Sequence, residues 1–172
     1  DTLLSLIEKN HYPLTIGIDF AASQFVKNGV YVVGGQEYAP EELTKFYLKL
    51  ISDYKIIVLE DPFSEEDFDD FGRLNAELQR ENAEDYLART GAPPTANRHP
   101  QVKKDGSPLI ITDDLTTTNP ERLRLAIQTR AGGGIIIKPN QIGTLSETLE
   151  VVRIAKEAHW ETIVSHRSGE TT

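Results

Sequence analysis

Pro108 to Gly143 reads PLIITDDLTTTNPERLRLAIQTRAGGGIIIKPNQIG, and its pattern predicts one strand–helix–strand unit. A short apolar run, Leu109 to Ile111, ends at Asp113 and Asp114, and a second, Ile135 to Ile137, ends at Lys138. Between them Asn119 suits an N-cap and Pro120 the first helical position, while Leu123, Ala126 and Ile127 make an apolar helical stripe. Gly132 to Gly134 are expected to stop that helix. Two buried strands joined by a helix are most simply parallel, so their carboxyl ends lie side by side. Acid and amine then project from the same sheet edge.

Outward from this unit the device repeats. Thr2 to Lys9 reads as a short helix and Leu14 to Ile18 as a strand ending at Asp19. Asn28-Gly29 between two β-prone runs marks a hairpin. Pro40 opens a helix with Leu43, Phe46, Tyr47, Leu50 and Ile51 at helical spacing, and Ile56 to Leu59 form a strand ending at Glu60-Asp61-Pro62. Ser64 is the expected cap of a helix burying Phe68, Phe71, Leu74 and Leu78. Residues 80–108, polar and rich in Pro and Gly, read as a surface excursion, with a helical turn around Tyr86-Leu87. Thr144-Leu-Ser-Glu147 is a capping box leading a helix with Leu145, Leu149, Val152 and Ala155. A last strand, Thr162 to Val164, ends at Ser165-His166-Arg167-Ser168.

The 172 residues can bury one sizeable core, and 38% apolar with 26% charged residues is ordinary for a soluble globular domain. A formal charge of −9 argues against nucleic acid or an anionic membrane as partner. No apolar run approaches the ~18 residues of a membrane span. The absence of cysteine excludes a disulfide framework and thiolate chemistry, as suits a cytoplasmic protein. The chain has no methionine and opens at Asp1 inside an expected helix, so it reads as a piece of a longer protein.

Five strands thus end in Asp19, Glu60, Asp113, Lys138 and Ser165 to Ser168. Strands alternating with helices imply an α/β fold with a parallel sheet, and in a (β/α) barrel such ends share one mouth. Three carboxylates suit Mg²⁺, which leaves positions for water or substrate oxygens. Neighbouring side chains on a strand point oppositely, so one acid of Glu60-Asp61 and one of Asp113-Asp114 should face the centre; spacing does not choose which. Zinc fits less well without thiols. His11 and His99 fall in loops and His159 near a helix C-terminus, which leaves His166 at the proposed mouth. A free lysine has a pKa of about 10.4, and burial or nearby positive charge lowers it toward a usable base. Arg167 and Ser168, before Gly169, could hold a phosphate.

The segments IGIDFAASQF, VLEDPFSEEDF, ITDDLTTTNPERL, IIIKPNQIGTLSETL and VSHRSGET resemble enolase, in that family's order and over most of the chain outside 80–108. The resemblance implies part of a C-terminal TIM-type barrel over residues 1–172, the insertion 80–108, and the absence of the smaller N-terminal domain. It implies reversible dehydration of 2-phosphoglycerate to phosphoenolpyruvate by a cytoplasmic, homo-oligomeric full-length lyase of glycolysis. By this resemblance Asp19, Glu60 and Asp113 are the Mg²⁺ ligands and Lys138 takes the proton alpha to the substrate carboxylate. Glu60, Asp113, Lys138, Ser165, His166, Arg167 and Ser168 contact the phosphorylated substrate, with Arg167 and Ser168 on its phosphate. A lysine or histidine base with one or two Mg²⁺ ions is what is known of the wider superfamily.

The chain departs from the family in three places. Pro139 follows the base where an aliphatic residue is usual, and the excursion at 80–108 is longer than the usual connection. The general-acid glutamate of the N-terminal domain and the second active-site lysine lie outside the chain, so the piece alone is expected to be inactive. Two other functions compete with the family's. A strand-end lysine could form a Schiff base in an aldolase-like lyase, or the protein could be an enolase-like binding or structural module without catalysis.

Overall fold

A computed structural model of the chain describes residues 2–80 and 108–165. Residues 81–107 of the expected excursion, and His166, Arg167 and Ser168, lie outside the described residues.

The main sheet holds five parallel strands in the order β1 (Ile16–Asp19), β5 (Ile56–Glu60), β6 (Leu109–Thr112), β7 (Gly134–Ile137), β8 (Glu161–Val164). Each strand pairs with the next in sequence order, which is how a barrel is wound. Among the described residues the sheet does not close, and β1 and β8 are its edges. Between β1 and β5 sits a meander of β2 (Val26–Lys27), β3 (Val30–Val33) and β4 (Gln36–Tyr38). Its turns, Asn28-Gly29 and Gly34-Gly35, have φ of 53°, 77°, 60° and 82°. Two consecutive positive φ values are what a two-residue turn needs to follow the strand twist. The second turn and β4 were not expected from the residues.

The helices are α1 (Thr2–Lys9), α2 (Pro40–Tyr54), α3 (Phe68–Arg80), α4 (Pro120–Gln128), the short α5 (Pro139–Ile142) and α6 (Leu145–Glu157). Of these, α2, α3, α4 and α6 cover one face of the sheet, where Ile51, Leu59, Phe71, Leu74, Ile110, Leu123, Ile135 and Ile154 share one core. The opposite face carries a smaller cluster, Ile57, Val58, Leu109, Ile111 and Ile136, with Ile163 against it. In β6 and β7 alternate residues go to alternate faces, as the pleat requires. No described helix is long and apolar enough to cross a membrane.

Asn119 caps α4, its side chain accepting from the amides of Glu121 and Arg122. Three local expectations are corrected. Ser64 does not cap α3; its carbonyl accepts from the Asp67 amide in a turn, and the helix starts at Phe68. The glycine run does not stop α4, which ends at Gln128 with Arg130 left-handed at φ 56°. Gly132 instead permits a close approach, since a Cβ there would sit 2.9 Å from the Ile110 carbonyl oxygen. On α6 the buried row is Thr148, Val151, Ile154 and Ala155, while Leu145 and Leu149 are exposed.

Candidate active site

Asp19, Glu60, Asp113, Lys138 and Ser165 all lie at the carboxyl edge of the main sheet, at or just past strand ends. Each stands two residues beyond a residue of the open face: Gly17, Val58, Ile111, Ile136 and Ile163 line one cavity of about 320 Å³ together with Asp19 and Glu60. Asp19 and Glu60 therefore meet the cavity directly, while Asp113, Lys138 and Ser165 stand just past the ends of the strands that floor it. Register places them at rising levels. Asp19 pairs with Glu60, and Glu60 with Ile111, so Asp113 projects two residues further. Ile111 pairs with Gly134, which sends Lys138 two residues further again, and Ile136 pairs with Ile163, which sets Ser165 level with Lys138. Each step is roughly 6–7 Å of strand rise, the stagger of a tilted barrel wall.

The paired acids divide their tasks. Glu60 faces the cavity. Asp61, 2% exposed and at φ 41°, turns to the next strand end, where its carboxylate accepts from the amides of Asp113 (3.1 Å) and Asp114 (2.8 Å). Asp61 thereby fixes the bend that presents Asp113. Asp113 itself is buried; one carboxylate oxygen accepts from the Lys138 ammonium and the other from Gln141 Nε2 at 3.2 Å. Asp19 is exposed and accepts from the Ala21 amide at 2.9 Å. Pro139 leaves the strand undisturbed, because it occupies the first position of α5, where no amide is needed.

Carboxylate oxygens of Asp19, Glu60 and Asp61 lie within 4.8 Å of one another, and so do those of Asp61, Asp113 and Asp114. Asp61 bridges the two groups, and Asp113 is held on the lysine side rather than among Asp19 and Glu60. The crowding has an electrostatic signature. Burial first, then the charges of Asp19, Asp61 and Asp113, pushes the Glu60 carboxyl up to about 7, with Lys138 opposing. Burial pushes Asp61 up to about 7 as well, against the two amide bonds that favour its charged form. Asp114 is raised by burial and then by Asp113. Three hard oxygens gathered within 4.8 Å of one another fit a small divalent cation. Among the described residues no histidine joins either acidic group. The parts Asp61 and Gln141 play in holding Asp113 were not expected, since their partners are remote in sequence.

A family model described as "Enolase, C-terminal TIM barrel domain" matches residues 1–87 and 96–172. The enolase of Acidothermus cellulolyticus is 36% identical over 158 residues, covering 92% of this chain and 31% of the relative. That of Aeropyrum pernix is 37% identical over 174 residues, 99% and 34%, and that of Saccharolobus islandicus 38% over 158, 91% and 31%. The chain spans about a third of the length of the curated relatives it matches.

Proposed function

This chain belongs to the enolase family, and we propose that its strand-end site serves the Mg²⁺-dependent, reversible dehydration of 2-phosphoglycerate to phosphoenolpyruvate. The observation that carries the proposal is the gathering of Asp19, Glu60 and Asp61 in one acidic group, with Asp113 held by Lys138 at the adjoining strand ends. In this reading Asp19, Glu60 and Asp113 hold the metal. When bound, Mg²⁺ supplies positive charge that stabilises the dianion built by removing a proton beside a carboxylate.

Lys138 takes that proton. To do so it must be neutral, and as an amine it can still donate an N–H to Asp113, beside which it stands. The side chain is 18% exposed, so the apolar floor of Ile111 and Ile136 limits competing water. Glu60 and Asp113 also face the substrate, and Ser165, His166, Arg167 and Ser168 contact it, with the Arg167 guanidinium and the Ser168 hydroxyl on the phosphate. An acidic protein needs such local positive groups to hold an anion. The same reading gives a cytoplasmic, homo-oligomeric protein.

The test is solvent exchange of the alpha proton of 2-phosphoglycerate in the full-length protein. Lys138→Ala is expected to abolish exchange while leaving Mg²⁺ affinity within about threefold of wild type. Exchange at the wild-type rate removes Lys138 from the role of base.

A further inference from the structure

Two adjacent threonines after β6, Thr117 and Thr118, have φ of 47° and 52°. A β-branched residue in the left-handed region is strained, and such strain persists only where the surroundings over-determine it. Thr118 is fully buried. Its hydroxyl oxygen accepts from the Lys138 amide at 2.9 Å and donates to Gln141 Oε1 at 2.7 Å. Gln141 Nε2 donates to Asp113, whose other oxygen accepts from the Lys138 ammonium. The four residues close a ring across the ends of β6 and β7. The amide of Gln141 has one workable orientation in it, because a flip would set its carbonyl against the Asp113 carboxylate.

We infer that Thr118 and Gln141 are positioning residues, a bracket that holds Asp113 and Lys138 in a fixed relation. The inference rests on the proposed function for its catalytic consequence. Thr118 fixes the backbone from which the lysine stem rises, and Gln141 fixes the rotation of the carboxylate. A threonine present only to fill space would be replaced without loss by valine, which has its shape; one present for its hydroxyl is replaced by serine.

The test uses Thr118→Val, Thr118→Ser, Gln141→Met and the Val/Met double variant in the full-length protein with Mg²⁺. One readout needs no turnover: hydrogen exchange of the Lys138 amide, well isolated because Pro139 has none. Thr118→Val is expected to speed that exchange by about tenfold or more, and Thr118→Ser to restore protection. The second readout is dehydration of 2-phosphoglycerate. A base displaced by ~1 Å costs on the order of 100-fold, so Thr118→Val should lower kcat by about that factor with KM within about threefold. Thr118→Ser should recover most of the rate, Gln141→Met should lose about tenfold, and the double variant should be no worse than Thr118→Val.

Wild-type kcat and Lys138 protection in Thr118→Val would overturn the bracket. So would losses that multiply in the double variant, or rescue by valine and not by serine. Should Thr118→Val fail to fold, half-buried Gln141 decides, and an unaltered kcat in Gln141→Met refutes the bracket. A wild-type protein without dehydratase activity refutes the proposed function instead, and the Lys138 amide still judges the bracket.

Discussion

Stability without a divalent cation should fall as pH rises through the neutral range, and the site sets the size of the fall. Glu60 and Asp61 are both pushed up to about 7, while in the unfolded chain they titrate near their ordinary values of about 4. Between about pH 4 and 7 the folded protein holds protons that the unfolded chain has released, so each unit of pH favours unfolding. The contribution is complete below the unfolded pKa and lost once pH passes the folded one. One pKa unit is about 1.4 kcal/mol, giving ceilings of roughly 4 kcal/mol for Asp61 and roughly 3 kcal/mol for Glu60. Glu60 is partly exposed and the two charges act on each other, so the terms are screened and do not add; about 3 kcal/mol in total is expected. Asp70 and Asp114 are raised too, which reinforces the sign. Urea denaturation at about pH 5.5 and about pH 8 in chelator spans about half of that window and should read about 1.5 kcal/mol, with Glu60→Gln losing its share of the slope. Millimolar Mg²⁺ should restore more stability at the higher pH, where it need not displace protons. A flat or rising profile, or an unchanged slope in Glu60→Gln, would refute the electrostatic account.

Two further substitutions test separate layers. Asp113→Asn should weaken Mg²⁺ binding by about tenfold or more, read by calorimetry, and unchanged affinity removes Asp113 from the ligand set. Gly72→Ala on α3 would place a Cβ 2.5 Å from the Thr129 carbonyl oxygen. Alanine's helical advantage of about 1 kcal/mol is smaller than the strain of moving a backbone carbonyl, so a net loss of about 1–2 kcal/mol is expected in urea. A gain would show that α3 and the end of α4 stand further apart.

Much of the wall was legible because its strands are continuous apolar runs, each closed by a polar residue, and its helices carry apolar rows. What failed was phase. Leu145 and Leu149 repeat at helical spacing, yet they are 70% and 58% exposed, and α6 buries the row through Val151 and Ala155. Residue type outvoted position there, since Thr148 is buried and the leucines are not. Gln36 to Tyr38 hid as a strand because it is short and mostly exposed, although Gly34-Gly35 carried the turn signal. In the site, the acids and the lysine were readable as strand ends. Thr118 and Gln141 were not, because their meaning depends on two loops meeting across neighbouring strands.

The choice between Glu60 and Asp61 depends on a feature of β5 that no residue announces. Ile16 pairs with Ile56, but Gly17 pairs with Val58, so one residue of β5 is extra at this point. Strict alternation from Ile57 on the open face would put Leu59 and Asp61 there and turn Glu60 toward the helices. Instead Ile57 and Val58 both lie on the open face, Leu59 joins the helix-side core, and Glu60 comes round to the cavity. The same irregularity raises the partner of Asp19 from Leu59 to Glu60, bringing the two carboxylates level. A bulge re-aims every side chain beyond it, which is why bulges gather beside active sites. Asp61, displaced from the cavity, is left free to bind the Asp113 and Asp114 amides. One inserted residue on one strand thus assigns both acids their tasks.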